Sequence, residues 1–320
     1  MDQASAERLN PGADSKPGGR TATALDWSAE RHSWPHAEAS RFPQAGGLRW
    51  HVQQMGAGPP LLLVHGTGAS THSWRTLAPL LARRFRVIAM DLPGHGFTEC
   101  PPRHRLSLPA MAEAVAALVH ALGVRPSVVV GHSAGAAILI RCCLDGALAP
   151  DSVISINGAL LPFRGAAGYL FPPLAKLLFL NPLTPRIFAR SAGDRDRVVR
   201  LIRGTGSQLD DEGIDLYARL FASSAHVAAT LGMMANWDLH RFARDLPTLH
   251  LPLHLIAGEN DKAVAITEAA RVCRMVDSAR LLRLPNLGHL AHEEDPVKVA
   301  EVMVRLAPGA LPGRDCDGVH

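Results

Sequence analysis

The 320-residue sequence contains no run of five basic residues. Its Lys and Arg are scattered, so a formal charge of +4 and a pI near 9.0 give no nucleic-acid footprint and at most favour an acidic ligand slightly. Cysteine is scarce: Cys100, Cys142, Cys143, Cys273 and Cys316 form no C-x-x-C pair and leave one over. That argues against a disulfide framework and predicts a reducing, cytoplasmic setting, peripheral to membranes at most. The first 30 residues lack an apolar h-region, so no secretory signal is expected. Long hydrophobic runs are missing too. The most apolar stretch, 169–188, is broken by Pro172, Pro173, Pro182 and Pro185 and carries Lys176 and Arg186, so no transmembrane segment is predicted.

What is present suffices for a large core, since 47% of residues are hydrophobic and only 19% charged. The length suits one domain, or one domain with an insert. Residues 1–38, rich in Gly, Pro, Ala and charge without periodicity, read as a flexible leader, and 308–320 as a flexible tail. Leu48, Trp50 and Val52 alternate with polar neighbours like a half-exposed strand; the short apolar runs 61–64, 87–90 and 128–130 look like strands buried on both faces. Met111, Val115, Leu118 and Leu122 follow a helical spacing that stops at Gly123. Strands alternating with helices predict a mostly parallel α/β sheet flanked by helices. The alternation resumes at 253–257 and 281–284 and ends in a helix over 296–306, with Asp295 as N-cap and Pro296 in its first turn. Between 158 and 237 only helical spacings occur, which predicts a helical cap inserted between core parts 39–157 and 238–307.

Gly131-His132-Ser133-Ala134-Gly135 follows the 128–130 run directly and precedes a good helical stretch. In a strand–turn–helix of this kind the serine is strained and its hydroxyl is thrust out of the sheet, while glycines two residues either side avoid collisions. At a glycine frequency of about 7%, the string alone would occur by chance in roughly one such chain in ten, so its placement carries the argument. A serine nucleophile needs a base oriented by an acid. Asp261 follows the 253–257 run, and His289, in Asn286-Leu287-Gly288-His289, follows the 281–284 run, in the order Ser, Asp, His. Glu259, a rival acid, reads as a turn-shaping residue. His292, a rival base, reads as a capping or surface histidine; His289 and His292 can also be read as paired metal ligands, a reading that no H-E-x-x-H cluster supports. No metal and no cofactor are expected. The oxyanion needs two backbone N–H groups, expected from Ala134 and from Thr67 in His65-Gly66-Thr67-Gly68. His65 reads as a loop-ordering residue, and Asp91-Leu92-Pro93-Gly94-His95-Gly96 as a structural turn.

The succession His65-Gly66, 91–96, 131–135, Asp261 and Gly288-His289 resembles the α/β-hydrolase superfamily over about residues 42–307, which implies an α/β-hydrolase fold and a Ser133, His289, Asp261 triad. Serine at 133 argues against the dehalogenase and epoxide-hydrolase branches, and Asn157, where some members carry their acid, leaves Asp261 in that role. A narrower resemblance rests on Trp34-Pro35-His36, on 45–53, on 66–75 and on 157–163. These segments are similar to the BchO group of magnesium chelatase accessory proteins of bacteriochlorophyll biosynthesis. It implies a pathway handling porphyrins and an association with magnesium chelatase, without assigning a reaction. The cap is richer in Leu, Phe and Met than a thin helical layer needs, so while most of these side chains pack as core, Phe163 and Trp237 are expected in an apolar pocket above Ser133, and Trp74 in its wall. The expected reaction is hydrolysis of an ester-like bond in a small apolar substrate, with perhydrolase and C–C bond hydrolase chemistry open to the same residues and non-catalytic binding of a porphyrin or the chelatase as the alternative.

Overall fold

The structure, a computed structural model, describes residues 24–162, 183–191 and 194–307. Ten strands follow the chain: β1 (Ser40–Arg41), β2 (Gln44–Ala45), β3 (Leu48–Arg49), β4 (Val52–Met55), β5 (Pro60–Val64), β6 (Arg86–Met90), β7 (Val128–His132), β8 (Ser152–Ile156), β9 (Leu253–Gly258) and β10 (Ala279–Leu284). Eight form one sheet in the order β1-β4-β6-β5-β7-β8-β9-β10. β1, β4 and β6 are joined antiparallel, and every other pair in that sheet is parallel.

The continuous apolar runs have a direct physical reason. Side chains alternate across a strand, so a strand covered on both faces must be apolar at every position. Leu62, Val64 and Val129 enter one core cluster, with the helices Leu108–Ala121 and Ala134–Leu144. Leu61, Leu63, Val128 and Val130 enter the other, with Leu77, Leu81, Val299 and Met303. The C-terminal helix Pro296–Leu306 begins as its sequence predicts: the Asp295 carboxylate accepts from Lys298 N–H at 3.0 Å.

Two expectations are corrected. The 48–52 segment is neither continuous nor half-exposed. Leu48–Arg49 pairs with Gln44–Ala45 in a separate hairpin, and Trp50 and His51 are fully buried. The Trp50 indole donates back to Ala45 O at 3.0 Å, which turns the chain before β4 begins. Residues 24–38 are not a loose leader either. Trp34 is 3% exposed and packs edge-on to Phe97, Trp27 packs against Phe42 and Phe97, and Gln53 donates to Pro35 O at 2.7 Å. Aromatic side chains too few to show a period still anchor this segment, with the help of such hydrogen bonds. Residues 1–23 and 308–320 lie outside the described residues.

Between β8 and β9 the described residues hold only helices: Thr184–Ser191, Arg195–Gly204, Asp211–Ala222, Ser224–Ala235 and His240–Asp245, with a short 3-10 turn at Leu246–Thr248. No helix among the described residues is long and apolar enough to cross a membrane.

Candidate active site

Ser133 stands between β7 and the Ala134–Leu144 helix with φ 50° and ψ −116°, a conformation that non-glycine residues rarely adopt and that costs on the order of 1–3 kcal/mol. Its neighbours hold it there. Ser133 N–H donates to Ile156 O at 3.0 Å, and Ser133 O accepts from Ala136 and Ala159. The flanking glycines are required sterically: a Cβ at Gly131 would lie 2.3 Å from Ala136 N, and one at Gly135 would lie 2.2 Å from Val64 O.

The loop after β5 reaches the same place. A Cβ at Gly66 would come within 3.0 Å of Ser133 Cβ and 2.8 Å of His132 Nδ1, so only glycine lets this backbone pass so close to the serine. Among the described residues neither the Thr67 nor the Ala134 N–H finds a hydrogen-bond acceptor in the protein. His65 orders this loop: fully buried, its Nε2 accepts from Leu92 N–H at 2.9 Å and its Nδ1 donates to Gly66 O at 2.7 Å. Burial holds His65 below the usual histidine value, against the pull of Asp91. Asp91 ties three segments together, accepting from Thr71 N–H, His51 Nδ1 and Phe97 N–H. Burial alone would raise its carboxyl; His51, together with these hydrogen bonds, outweighs that and holds it well below the usual carboxylate range.

Asp261 and His289 come from the ends of the adjacent parallel strands β9 and β10. Asp261 Oδ2 accepts from His289 Nδ1 at 2.8 Å and from Asn157 Nδ2 at 2.6 Å, and its Oδ1 accepts from the N–H groups of Ala263 and Val264, both at 2.8 Å. A carboxylate only accepts, so Nδ1 carries the imidazole proton and Nε2 is left to act as a base. Glu259 is exposed and does not compete for the histidine. His132, inside the serine turn, donates from Nε2 to His289 O at 2.9 Å, which links the turn of Ser133 to the loop of His289. Residues 205–207 brace the other side: Lys262 N–H donates to Thr205 O at 3.0 Å and Leu290 N–H to Ser207 Oγ at 2.8 Å.

His292 is not a surface or capping histidine. It is fully buried, its ring 4.5 Å from those of Trp74 and His132, and burial pulls it down to about 3. Among the described residues no group of three or more His, Cys, Asp or Glu could hold a metal ion, and His289 is committed to Asp261. Trp74 is 1% exposed within the cluster around Leu77 and Leu81; it packs against His292 and is core, not pocket wall. Trp237 is half-buried against the other cluster, and Phe163 lies outside the described residues. Sequence reasoning missed Asn157 as an amide donor to Asp261. The available signal was position, since Asn157 follows β8 and Asp261 follows its parallel neighbour β9.

A strained serine after the central strand β7, and a histidine–aspartate pair at the ends of β9 and β10, define a class. The chain belongs to the alpha/beta hydrolase family, whose model matches residues 61–302. It is similar to the magnesium-chelatase 30 kDa subunit of Rhodobacter capsulatus, with 40% identity over 271 residues, 84% of this chain and 94% of that protein. It also resembles the 2-hydroxy-6-oxo-6-(2'-aminophenyl)hexa-2,4-dienoic acid hydrolase of Metapseudomonas resinovorans, 29% identical over 81% of this chain and 88% of that one. Among solved structures, an alpha/beta hydrolase fold protein from Burkholderia ambifaria shares the fold with a TM-score of 0.68, at 24% identity, covering 83% of this chain and 99% of that one.

Proposed function

We propose that this chain is a serine-dependent hydrolase acting on an ester-like bond of an apolar, porphyrin-type substrate, at the magnesium-insertion stage of bacteriochlorophyll biosynthesis. The chemistry rests on the Asp261–His289 pair at 2.8 Å, set on strand ends beside the strained Ser133. Ser133 Oγ attacks the carbonyl carbon as His289 Nε2 takes its proton, and Asp261 steadies the imidazolium. The N–H groups of Thr67 and Ala134 meet the oxyanion, an interaction worth several kcal/mol of barrier because it is made in the transition state. His289 then returns the proton to the leaving oxygen, and water activated by the same histidine hydrolyses the acyl-enzyme. The pathway reading is supported by the 40% identity to a magnesium-chelatase subunit. Residues 158–237 are proposed as a cap over the site, with Trp237 in its pocket and no cofactor required. Ser133→Ala is expected to abolish covalent labelling by a fluorophosphonate probe and all esterase activity; labelling that survives overturns the assignment.

The relative's name favours one second reading, a non-catalytic accessory protein that binds a porphyrin or magnesium chelatase. Pigment synthesis in cells carrying Ser133→Ala separates the two. Output that is unchanged, while deletion of the whole protein stops it, supports the accessory reading.

A further inference from the structure

The helix Ser224–Ala235 touches the loop of the proposed oxyanion hole through one face. His226 Nε2 lies 3.1 Å from Gly68 O, Thr230 Cγ2 would be 3.4 Å from a Cβ at Gly68, and Thr67 Oγ1 donates to Met233 Sδ at 3.6 Å. Positions 226, 230 and 233 follow the i, i+4, i+7 spacing of a single helical face. His226 is 2% exposed, and both of its ring nitrogens are used. Gly96 N–H can only donate, and it points to His226 Nδ1 at 3.1 Å. Nδ1 is therefore the acceptor, and Nε2 carries the proton donated to Gly68 O.

The hydrogen bond has a path to the oxyanion site. Gly68 O belongs to the Gly68–Ala69 peptide unit, whose other end, Ala69 N–H, donates to Gly66 O at 3.2 Å. Gly66 O is one end of the Gly66–Thr67 peptide unit, and in a planar trans peptide the Thr67 N–H points opposite to it. Holding Gly66 O thus sets the direction of Thr67 N–H. His65 holds that oxygen from the sheet side. His226 holds the turn from the helical layer, 158 residues away in sequence.

We propose, on the hydrolase reading above, that His226 is a positioning residue: by binding Gly68 O and Gly96 N–H at once it locks the Thr67 N–H into the oxyanion hole, so that the hole is complete only when the helical layer is seated. The lock acts on a group that binds the transition state, so its loss is expected in kcat and not in KM.

The test uses the full chain, p-nitrophenyl acetate and butyrate, and the rate of inactivation by a fluorophosphonate. His226→Ala is expected to lower kcat and the inactivation rate roughly 10- to 100-fold with KM within about twofold; this is below the 10²–10³ typical for complete loss of an oxyanion donor, because Thr67 N–H is misdirected and not removed. His226→Gln, which keeps one donor and one acceptor, restores most of the rate. His226→Phe fills the volume without a hydrogen bond and should behave like the alanine variant if that one fails to fold. His240→Ala, an exposed histidine of the same layer, serves as the neutral control. A folded Ala or Phe variant with kcat within twofold of wild type overturns the inference alone, as does a Gln variant as slow as Ala. A wild-type chain that no fluorophosphonate labels, or a Ser133→Ala chain that still labels, overturns the hydrolase reading and this inference with it.

Discussion

The sheet and the helical layer between β8 and β9 are built on different principles. Within the sheet and its flanking helices the buried side chains are overwhelmingly apolar and divide by alternation into two clusters. The layer packs Val198, Ile202, Ile214 and Tyr217 against Ala69 and Leu290 of the loops after β5 and β10, and it meets the sheet-borne half through buried polar contacts as well. Arg75, after the 65–68 loop, donates to Glu293 and to Asp210, each at 2.6 Å, and Tyr217 donates to Glu293 at 2.8 Å. Arg75 and Glu293 are nearly or fully buried; Asp210, the N-cap of the Asp211–Ala222 helix, is 59% exposed at its side chain. Apolar burial is non-directional and tolerates sliding, whereas paired polar groups in a low-dielectric seam accept one arrangement. The seam therefore sets where the layer sits, and the sheet sets where Ser133, Asp261 and His289 sit.

The largest expected effect tests the sheet half. Asp261→Asn keeps the shape but loses the obligate acceptor for His289 Nδ1, so kcat should fall by about 10⁴-fold, equivalent to about 5 kcal/mol of barrier; the amide nitrogen must also face donors on one side, so the melting temperature should fall too. A fall of less than tenfold on a good ester substrate would show that His289 is oriented by something else.

Next comes the seam. Arg75→Met leaves Glu293 and Asp210 without their cation, and breaking a buried pair from one side costs about 3–5 kcal/mol. Hydrogen exchange should quicken in the helices Asp211–Ala222 and Ser224–Ala235 well before β7 is affected. Adding Glu293→Gln removes the stranded charge and should recover a good part of the loss. Equal acceleration in the layer and the sheet would erase the distinction drawn between them.

The smallest effect is a pH profile that pits the two kinds of buried group against each other. Burial pulls His226 down to about 4 and His292 to about 3, from an ordinary 6.5. Their stabilising contribution is complete above about pH 6.5 and is lost as pH falls. Burial pushes Glu293 up to about 7 from 4.5, partly offset by Arg75 and Tyr217, so its contribution is complete below about 4.5 and is lost as pH rises through about 7. Between pH 4.5 and 6.5 two histidines outweigh one carboxyl, so stability should climb with pH and level off near pH 7. His72, His95 and His132, also held low by burial, steepen the climb. Chemical denaturation from pH 4.5 to 8 measures this directly; Glu293→Gln should steepen the rise, and a flat wild-type profile would contradict the burial of these histidines.

Much of the fold was legible before any coordinates, and for a local reason. The runs that became β5, β6 and β7 are short, apolar at consecutive positions and bounded by turn residues, which is what burial on both faces demands, whereas β10, at the sheet's edge, carries Arg280 and Arg283 and is mostly half-buried. The C-terminal helix carried its own start signal in Asp295 and Pro296. The segment at 48–52 misled because its alternation is real but belongs to a hairpin and a turn pinned by Trp50, and period alone does not distinguish these. His292 and Trp74 misled because a single histidine or tryptophan carries no signal of which way it faces.

The sequence by itself determined the parallel α/β sheet, the glycine-flanked turn that strains Ser133, and the order in which Ser133, Asp261 and His289 arrive at strand ends. These follow from backbone sterics and side-chain period, which act between neighbours along the chain. Only the tertiary structure decided that Asn157 serves Asp261 across 104 residues, that Arg75 and Glu293 meet across 218, and that His226 closes on Gly68. A hydrogen bond forms only within about 3 Å and a narrow range of angles, so a polar partner so distant along the chain becomes visible only once the sheet has brought the strand ends together.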